Sequence, residues 1–135
     1  MTRRSRWFVL LPALLAACHA DTPADRAARP PALATLRGTW LLLPEAQAGG
    51  DTLVYRRNTY RFRNRPEGRP GFRLGEGGRF TRYRPVPGGG LLAQDGTWTS
   101  TRSGRLRVVL FPPVDTTFEL RVIRYRDGEL RLRMK

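Results

Sequence analysis

The chain has almost none of the side chains that build catalytic or metal centres. It contains one cysteine, Cys18, and one histidine, His19, in 135 residues. A single thiol cannot form an internal disulfide, and these two neighbours cannot supply the ligand set of a zinc site. Serine occurs only at Ser5, Ser100 and Ser103, outside any nucleophile-elbow pattern, and no second histidine can act as its base. We therefore expect a non-enzymatic protein without a metal or a cofactor.

Acidic residues and lysine are also scarce. The chain has 25 basic residues against 11 acidic ones, a formal net charge of +14, and Lys135 is its only lysine. A positive surplus of this size attracts polyanions. The densest run nominates a candidate anion-binding set, which consists of Arg56, Arg57, Arg61, Arg63, Arg65 and Arg69. The alternative stays open that these arginines form ordinary solvated faces and reflect codon bias.

The N-terminus has the order of an export signal. Residues 1–6 are basic, residues 7–15 are apolar, and Ala16 and Ala17 precede Cys18. The apolar run is shorter than the roughly 20 residues that a membrane-spanning helix needs. The segment resembles the lipobox of bacterial lipoprotein precursors. This resemblance implies cleavage between Ala17 and Cys18 and attachment of lipid to the Cys18 thiol.

Three segments follow from this interpretation. We expect a signal peptide over 1–17, a lipidated N-terminus and flexible Pro- and Ala-rich linker over 18–35, and one folded domain over 36–135. Cleavage would remove three arginines and leave 22 basic and 11 acidic residues, a net charge of +11. The expected location is the cell envelope, in the outer membrane by default because His19 rather than an aspartate follows Cys18. Nucleic acid is an unsuitable partner there, and we expect a monomer.

From residue 36 onwards, apolar and polar residues alternate between glycine- and proline-rich turns. This pattern is typical of an all-β sandwich or barrel. Strands are predicted over 36–43, 51–57, 59–63, 72–75, 79–84, 95–102 and 105–111, and before and after residues 127–128. Tyr60 and Phe62 are predicted to face inward, as are Leu106, Val108 and Leu110.

The C-terminal region contains the strongest hairpin signal. Asp127-Gly128 suits a type I′ turn, which needs positive φ at both central residues. The resulting register places Arg126 opposite Glu129, Tyr125 opposite Leu130, and Ile123 opposite Leu132. Phe118 and Leu120 have the opposite parity to Ile123 and Tyr125, which predicts a β-bulge near Val122 if all four face inward.

A Gly-Thr-Trp triplet occurs twice, with Gly38 before Trp40 and Gly96 before Trp98. We interpret both tryptophans as core anchors, with each glycine leaving room for the indole. The first triplet resembles the Gly-Xaa-Trp opening of lipocalins and related calycins. The resemblance covers about residues 36–135 and implies a small, antiparallel up-and-down barrel of about eight strands. It also implies that an arginine of the last strand, Arg131 or Arg133, packs over Trp40.

Two functions remain in competition at this point. The first is a lipid-anchored, lipocalin-like protein that binds a small hydrophobic or amphipathic ligand. The alternative is a structural or interaction protein whose arginines dock on anionic lipid, glycan or an acidic protein. An apolar cavity inside the barrel would favour the first function, and an interior filled with side chains would favour the second.

Overall fold

The computed structural model describes residues 32–47, 50–64 and 68–135. Residues 1–31, with the predicted signal, Cys18 and most of the linker, lie outside the described residues. A short helix α1 (Leu33–Leu36) precedes eight strands, and two 3-10 turns (Pro44–Ala46 and Glu76–Gly78) lie between strands. The strands are β1 (Gly38–Leu42), β2 (Thr52–Arg57), β3 (Gly71–Leu74), β4 (Arg79–Pro85), β5 (Leu91–Ser100), β6 (Arg105–Leu110), β7 (Thr116–Arg126) and β8 (Glu129–Met134).

The strands close into one antiparallel barrel in the order β1-β2-β8-β7-β6-β5-β4-β3, so the predicted small up-and-down barrel of about eight strands is confirmed. Strands β3 to β8 follow one another around the wall. The first strand lies between β2 and β3, and the chain must therefore cross β1 on its way from β2 to β3. This crossover is the one departure from sequential strand order.

The described residues of the crossover, 58–64 and 68–70, correct one predicted strand. Residues 59–63 form no strand: Tyr60 is 43% exposed, and its ring meets that of Phe62 edge to face at a centroid distance of 5.0 Å. The backbone of Asn58 donates to Thr39, and that of Leu42 to Pro70. The alternation of aromatic residues here serves contacts within the crossover and not the barrel core.

Thirteen buried residues from α1 and all eight strands form one contiguous core inside the barrel. Trp40 is fully buried and Trp98 is 9% exposed, and Leu106, Val108 and Leu110 face inward as predicted. Aromatic rings occupy the centre: Tyr55, Phe72 and Phe80 contact one another in sequence, with centroid distances of 5.0 and 5.8 Å. The inward side chains therefore fill the space that the wall encloses.

The C-terminal hairpin follows the predicted register up to the bulge. Asp127 and Gly128 have φ of 52° and 70°, as a type I′ turn requires. The register shifts between Val122 and Arg124, which confirms the predicted bulge. The predicted pairing of Ile123 with Leu132 is wrong: Val122 lies opposite Leu132, and Ile123 is extruded and 45% exposed. Because one residue is extruded, the apolar residues before the bulge and those after it all face the core.

One end of the barrel is closed by α1. The side chain of Leu36 is 1% exposed, and the Trp40 indole N–H donates to the Leu36 carbonyl at 2.8 Å. Arg57 of β2 adds a second link, since its guanidinium donates to the carbonyls of Thr35 and Arg37. We call this the closed end, and the opposite end the barrel mouth.

Candidate functional site

Strand alternation gathers arginines on the outside of β6, β7 and β8. Their inward residues are leucine, valine, phenylalanine and tyrosine, so the intervening positions point to solvent. We call this surface the arginine face. It consists of Arg105 and Arg107 on β6, Arg121, Arg124 and Arg126 on β7, and Arg131 and Arg133 on β8.

Several of these arginines lie directly opposite one another. Arg121 of β7 pairs with Arg105 on one side and with Arg133 on the other. Two residues along β8 towards the closed end, Arg131 pairs with Arg124. Directly opposed like charges destabilise a sheet, because their Cβ atoms are only about 5 Å apart. A bound anion would remove that cost.

The described carboxylates neutralise only part of the arginine face. Glu119 accepts from Arg105 at 3.1 Å, and Glu129 accepts from Arg131 at 2.8 Å and from Arg56 at 2.7 Å. Asp127 pairs with Arg126 in the exposed turn. Among the described residues, no carboxylate pairs with the other four arginines of the face, which are Arg107, Arg121, Arg124 and Arg133.

Glu129 is the best-held acid on this surface. The hydrogen bond from Arg131 lowers the pKa of Glu129 from its usual range, burial opposes this shift, and the charge of Arg56 lowers the pKa further. The side chain is only 20% exposed and bridges two guanidinium groups. Glu129 therefore remains ionised and reduces the positive charge at the centre of the surface.

A small concavity lies at the closed-end edge of the arginine face. Its volume is about 170 Å³, and it is lined by Arg56, Arg124, Arg126, Asp127, Glu129 and Arg131. A space of this size accommodates a single phosphate or carboxylate group more readily than a large ligand. A broader concavity of about 1120 Å³ lies outside β3 to β5, where Arg37 pairs with Glu76 and Thr81 donates to Asp95.

The arginines nominated from the sequence lie on β2 and in the crossover. Arg56 binds Glu129 and the Asp127 carbonyl, and Arg69 contacts Glu45 at 3.4 Å and the ring of Phe62 at 4.7 Å. Arg57 points inward at the closed end. Arg61 and Arg63 lie in the crossover, and Arg65 lies outside the described residues. Of the described members, Arg56 and Arg69 therefore pair with carboxylates and Arg57 stacks on Trp40.

The guanidinium over Trp40 belongs to Arg57, 4.3 Å from the ring, and not to Arg131 or Arg133 as predicted. Strand β2 separates β8 from β1, and Arg57 is the residue paired directly with Trp40. Gly38 leaves room for this guanidinium, because a Cβ atom at Gly38 would overlap it. The glycine before Trp98 serves a different contact, a close approach to the backbone of Val109.

Part of the arginine face could be predicted from the sequence. The Asp127-Gly128 turn alone places Arg124 opposite Arg131, because the pairing moves back from the turn by one residue on each strand. The pairing of Arg105 with Arg121 could not be predicted in this way, because the loop between β6 and β7 contains no comparable turn signal.

Among the described residues, no group of histidine, cysteine, aspartate and glutamate side chains could hold a metal ion. In the same part of the chain, no helix has the length and apolar character needed to span a membrane. No known protein family, curated protein or solved structure matches this chain.

Proposed function

We propose that the protein is a lipid-anchored, non-enzymatic envelope protein whose arginine face docks on anionic lipid head groups. The observation that carries this proposal is the row Arg105, Arg121 and Arg133, in which Arg121 lies opposite an arginine on each side and, of the three, only Arg105 pairs with a described carboxylate, Glu119. Guanidinium groups bind phosphate oxygens through paired, charge-assisted hydrogen bonds. Head-group phosphates would replace repulsion within the row by attraction to a shared anionic surface.

The position at which the chain enters the barrel supports an orientation in which the arginine face meets the membrane. The described chain begins at residue 32, beside α1 and the closed end. Arg126, Glu129 and Arg56 are paired across β7, β8 and β2 at the same end, so the arginine face extends to the end where the linker enters. A lipid at Cys18 would hold this end close to the bilayer.

The packed interior favours a surface role over an enclosed ligand. Thirteen buried side chains occupy the centre of the barrel, and both described concavities lie outside its wall. Each arginine near an anionic membrane contributes about 1 kcal/mol at moderate ionic strength. A face of this composition would therefore give appreciable affinity without a buried site.

A lipocalin-like relationship is part of the proposal. The eight-stranded antiparallel barrel and the guanidinium over the tryptophan of the first strand support it. The arginine comes from β2, however, and β1 lies between β2 and β3. We therefore propose a similar architecture with a different closure.

Vesicle binding tests the docking proposal. The chain without its expected signal peptide, residues 18–135 with Cys18→Ser, carries no lipid and should sediment with vesicles that contain phosphatidylglycerol and not with pure phosphatidylcholine vesicles. Binding should weaken steeply as salt increases, because exposed charges are screened within about 8 Å at physiological ionic strength. Replacing both Arg121 and Arg124 by glutamine should weaken binding about thirtyfold.

The matched control is Arg73→Gln with Arg79→Gln. It removes the same charge from exposed positions outside β3 and β4, on the other side of the barrel. Equal losses for the two double variants would show a general charge effect and contradict the proposal. Lipidation is tested separately by labelling cells with radioactive palmitate, which should mark the wild type and leave the Cys18→Ser chain unmarked.

A further inference from the structure

The small concavity at the closed-end edge of the arginine face carries a surplus of two positive charges. It is lined by four arginines of β2, β7 and β8 and by two carboxylates, those of Asp127 and Glu129. Its volume of about 170 Å³ is well below the roughly 300–1,000 Å³ of pockets that enclose drug-sized ligands. The concavity therefore suits one small group that carries two negative charges.

The register of three strands places the lining arginines around Glu129. Glu129 of β8 lies opposite Arg56 of β2 on one side and opposite Arg126 of β7 on the other. In the next outward-facing row of β7 and β8, Arg124 lies opposite Arg131. Because alternate residues of a strand share one face of the sheet, both rows line the same surface.

The two carboxylates engage their β7 and β8 partners through Nε. The Nε atom of Arg131 donates to Glu129 at 2.8 Å, and that of Arg126 lies 3.2 Å from Asp127. Among the described residues, no hydrogen bond or ion pair engages the terminal nitrogens of these two guanidinium groups or any nitrogen of Arg124. Paired guanidinium nitrogens bind phosphate oxygens through two parallel hydrogen bonds. Three such pairs therefore border the concavity.

Arg56 contributes charge to the concavity and not donors, because its terminal nitrogens already donate to the Asp127 carbonyl at 2.9 Å and to Glu129 at 2.7 Å. Glu129 stays ionised: the hydrogen bond from Arg131 lowers its pKa, burial opposes this shift, and the charge of Arg124 lowers the pKa further. The carboxylate thus holds two guanidinium groups in place and offsets part of their attraction for an anion. The surplus of two positive charges remains.

We infer that this concavity binds the phosphomonoester of an anionic lipid head group. The inference rests on the docking proposal and names the head group that the arginine face prefers. A phosphomonoester has three terminal oxygens and close to two negative charges at pH 7, which match the three pairs of terminal nitrogens and the surplus of two positive charges. A phosphodiester has only two such oxygens and one charge, and it would leave one guanidinium without a partner.

The position of the concavity favours a lipid over a soluble phosphate. Three of its arginines, Arg124, Arg126 and Arg131, belong to the arginine face. It adjoins the turn between β7 and β8, at the end of the barrel where the linker enters. A bilayer that meets the arginine face would therefore present its head groups to the concavity.

Vesicles of equal surface charge test the inference. One set contains phosphatidic acid, whose head group is a phosphomonoester, and the other contains about twice that fraction of phosphatidylglycerol, a phosphodiester with half the charge. Electrophoretic mobility verifies that the surface charges match. Residues 18–135 with Cys18→Ser should bind the first set about tenfold more tightly at about pH 7, since one more charge-assisted contact forms. Equal binding to both sets would overturn the inference and leave the docking proposal standing.

Paired variants locate the preference on the arginine face. Arg124→Gln with Arg126→Gln should reduce the preference for phosphatidic acid to less than about twofold, because two of the three phosphate contacts are lost. The matched control is Arg107→Gln with Arg133→Gln, which removes the same charge from exposed positions of the arginine face outside the concavity. The control should weaken binding to both vesicle sets and keep the preference. A preference that persists in the first variant would overturn the inference.

Calorimetric titration with soluble phosphates separates the concavity from the bilayer. Glycerol 3-phosphate, a phosphomonoester, should bind the same chain at least about tenfold more tightly than dimethyl phosphate, a phosphodiester. The variant with Arg124→Gln and Arg126→Gln should lose this difference. Binding of glycerol 3-phosphate without a preference for phosphatidic acid vesicles would assign the concavity to a soluble phosphate and overturn the inference. No binding to either vesicle set would contradict the docking proposal itself, and the inference with it.

Discussion

The guanidinium of Arg57 stands 4.3 Å from the ring of Trp40, its direct cross-strand neighbour, and donates to two carbonyl groups just before β1. This contact joins β1, β2 and α1 at the closed end. A cation over an indole contributes about 0.5–2 kcal/mol, depending on its exposure to water.

Replacing Arg57 by glutamine should therefore lower the free energy of unfolding by about 1–2 kcal/mol, since the stacking and at least one hydrogen bond are lost. Urea denaturation followed by tryptophan fluorescence measures this change. Arg133→Gln, at an exposed position of β8 that the sequence alone made an equal candidate, should change the stability by less than about 0.5 kcal/mol. Equal effects would contradict the assignment of Arg57.

Gly38→Ala should destabilise the protein through the same contact. Gly38 has a φ of +123°, and an added Cβ atom would overlap the Arg57 guanidinium. In an Arg57→Gln background the overlap is relieved, so the alanine should cost less than it does in the wild type. A double-mutant cycle measures this coupling, which we expect to exceed about 0.5 kcal/mol. Strict additivity would show that backbone strain alone accounts for the glycine.

Gly128→Ala should cost about 1 kcal/mol, because a residue with a Cβ atom is unfavourable at φ of +70° in the β7–β8 turn. Asp127→Asn is the matched control, since asparagine tolerates the φ of +52° at its own position. Thermal unfolding of both variants checks the prediction. A larger effect of the asparagine variant would argue against a type I′ turn.

Glu129 should make the stability of the fold sensitive to acid. Because the folded state lowers the pKa of Glu129, its contribution is present above the unfolded-state pKa of about 4.3 and is lost as pH falls through the lower folded-state value. The free energy of unfolding should therefore fall less in the Glu129→Gln variant than in the wild type when the pH is lowered from 6 to about 3. Urea denaturation at both pH values measures the difference.

The same substitution should increase binding to anionic vesicles, because it removes a negative charge that lies between Arg56 and Arg131. Asp51→Asn, which removes one negative charge at an exposed position before β2, is the control and should increase binding less. Weaker binding of Glu129→Gln than of the wild type would mean that Glu129 supports the face by orienting its arginines.

Local sequence patterns predicted much of the wall. The Asp127-Gly128 turn and the alternation through Leu106, Val108 and Leu110 depend on neighbouring residues alone, and the structure has them as expected. The change of parity after Leu120 was sufficient to place the bulge near Val122, but not to show which residue it extrudes. That outcome depends on which side chains the opposite strand buries.

The remaining features depend on strand order, which local patterns do not contain. Tyr60 and Phe62 alternate like strand residues, yet they lie in a crossover that exists only because β1 pairs with both β2 and β3. The arginine that stacks on Trp40 was predicted wrongly for the same reason, because local patterns do not show that β2 lies between β1 and β8. The orientation of two β4 arginines was not anticipated either, since only the register of β4 against β3 and β5 shows that Arg82 and Arg84 face inward.

The position of β1 and β2 in the wall has a consequence for how the chain reaches its folded state. Strand β2 is hydrogen-bonded to β8, so that Thr52 lies opposite Arg133. A ribosome or an export channel releases the chain from the N-terminus, and until β8 has emerged the outer edge of β2 has no partner. The barrel therefore cannot close before β8 has been delivered, and until then its open edges must be kept from other strands.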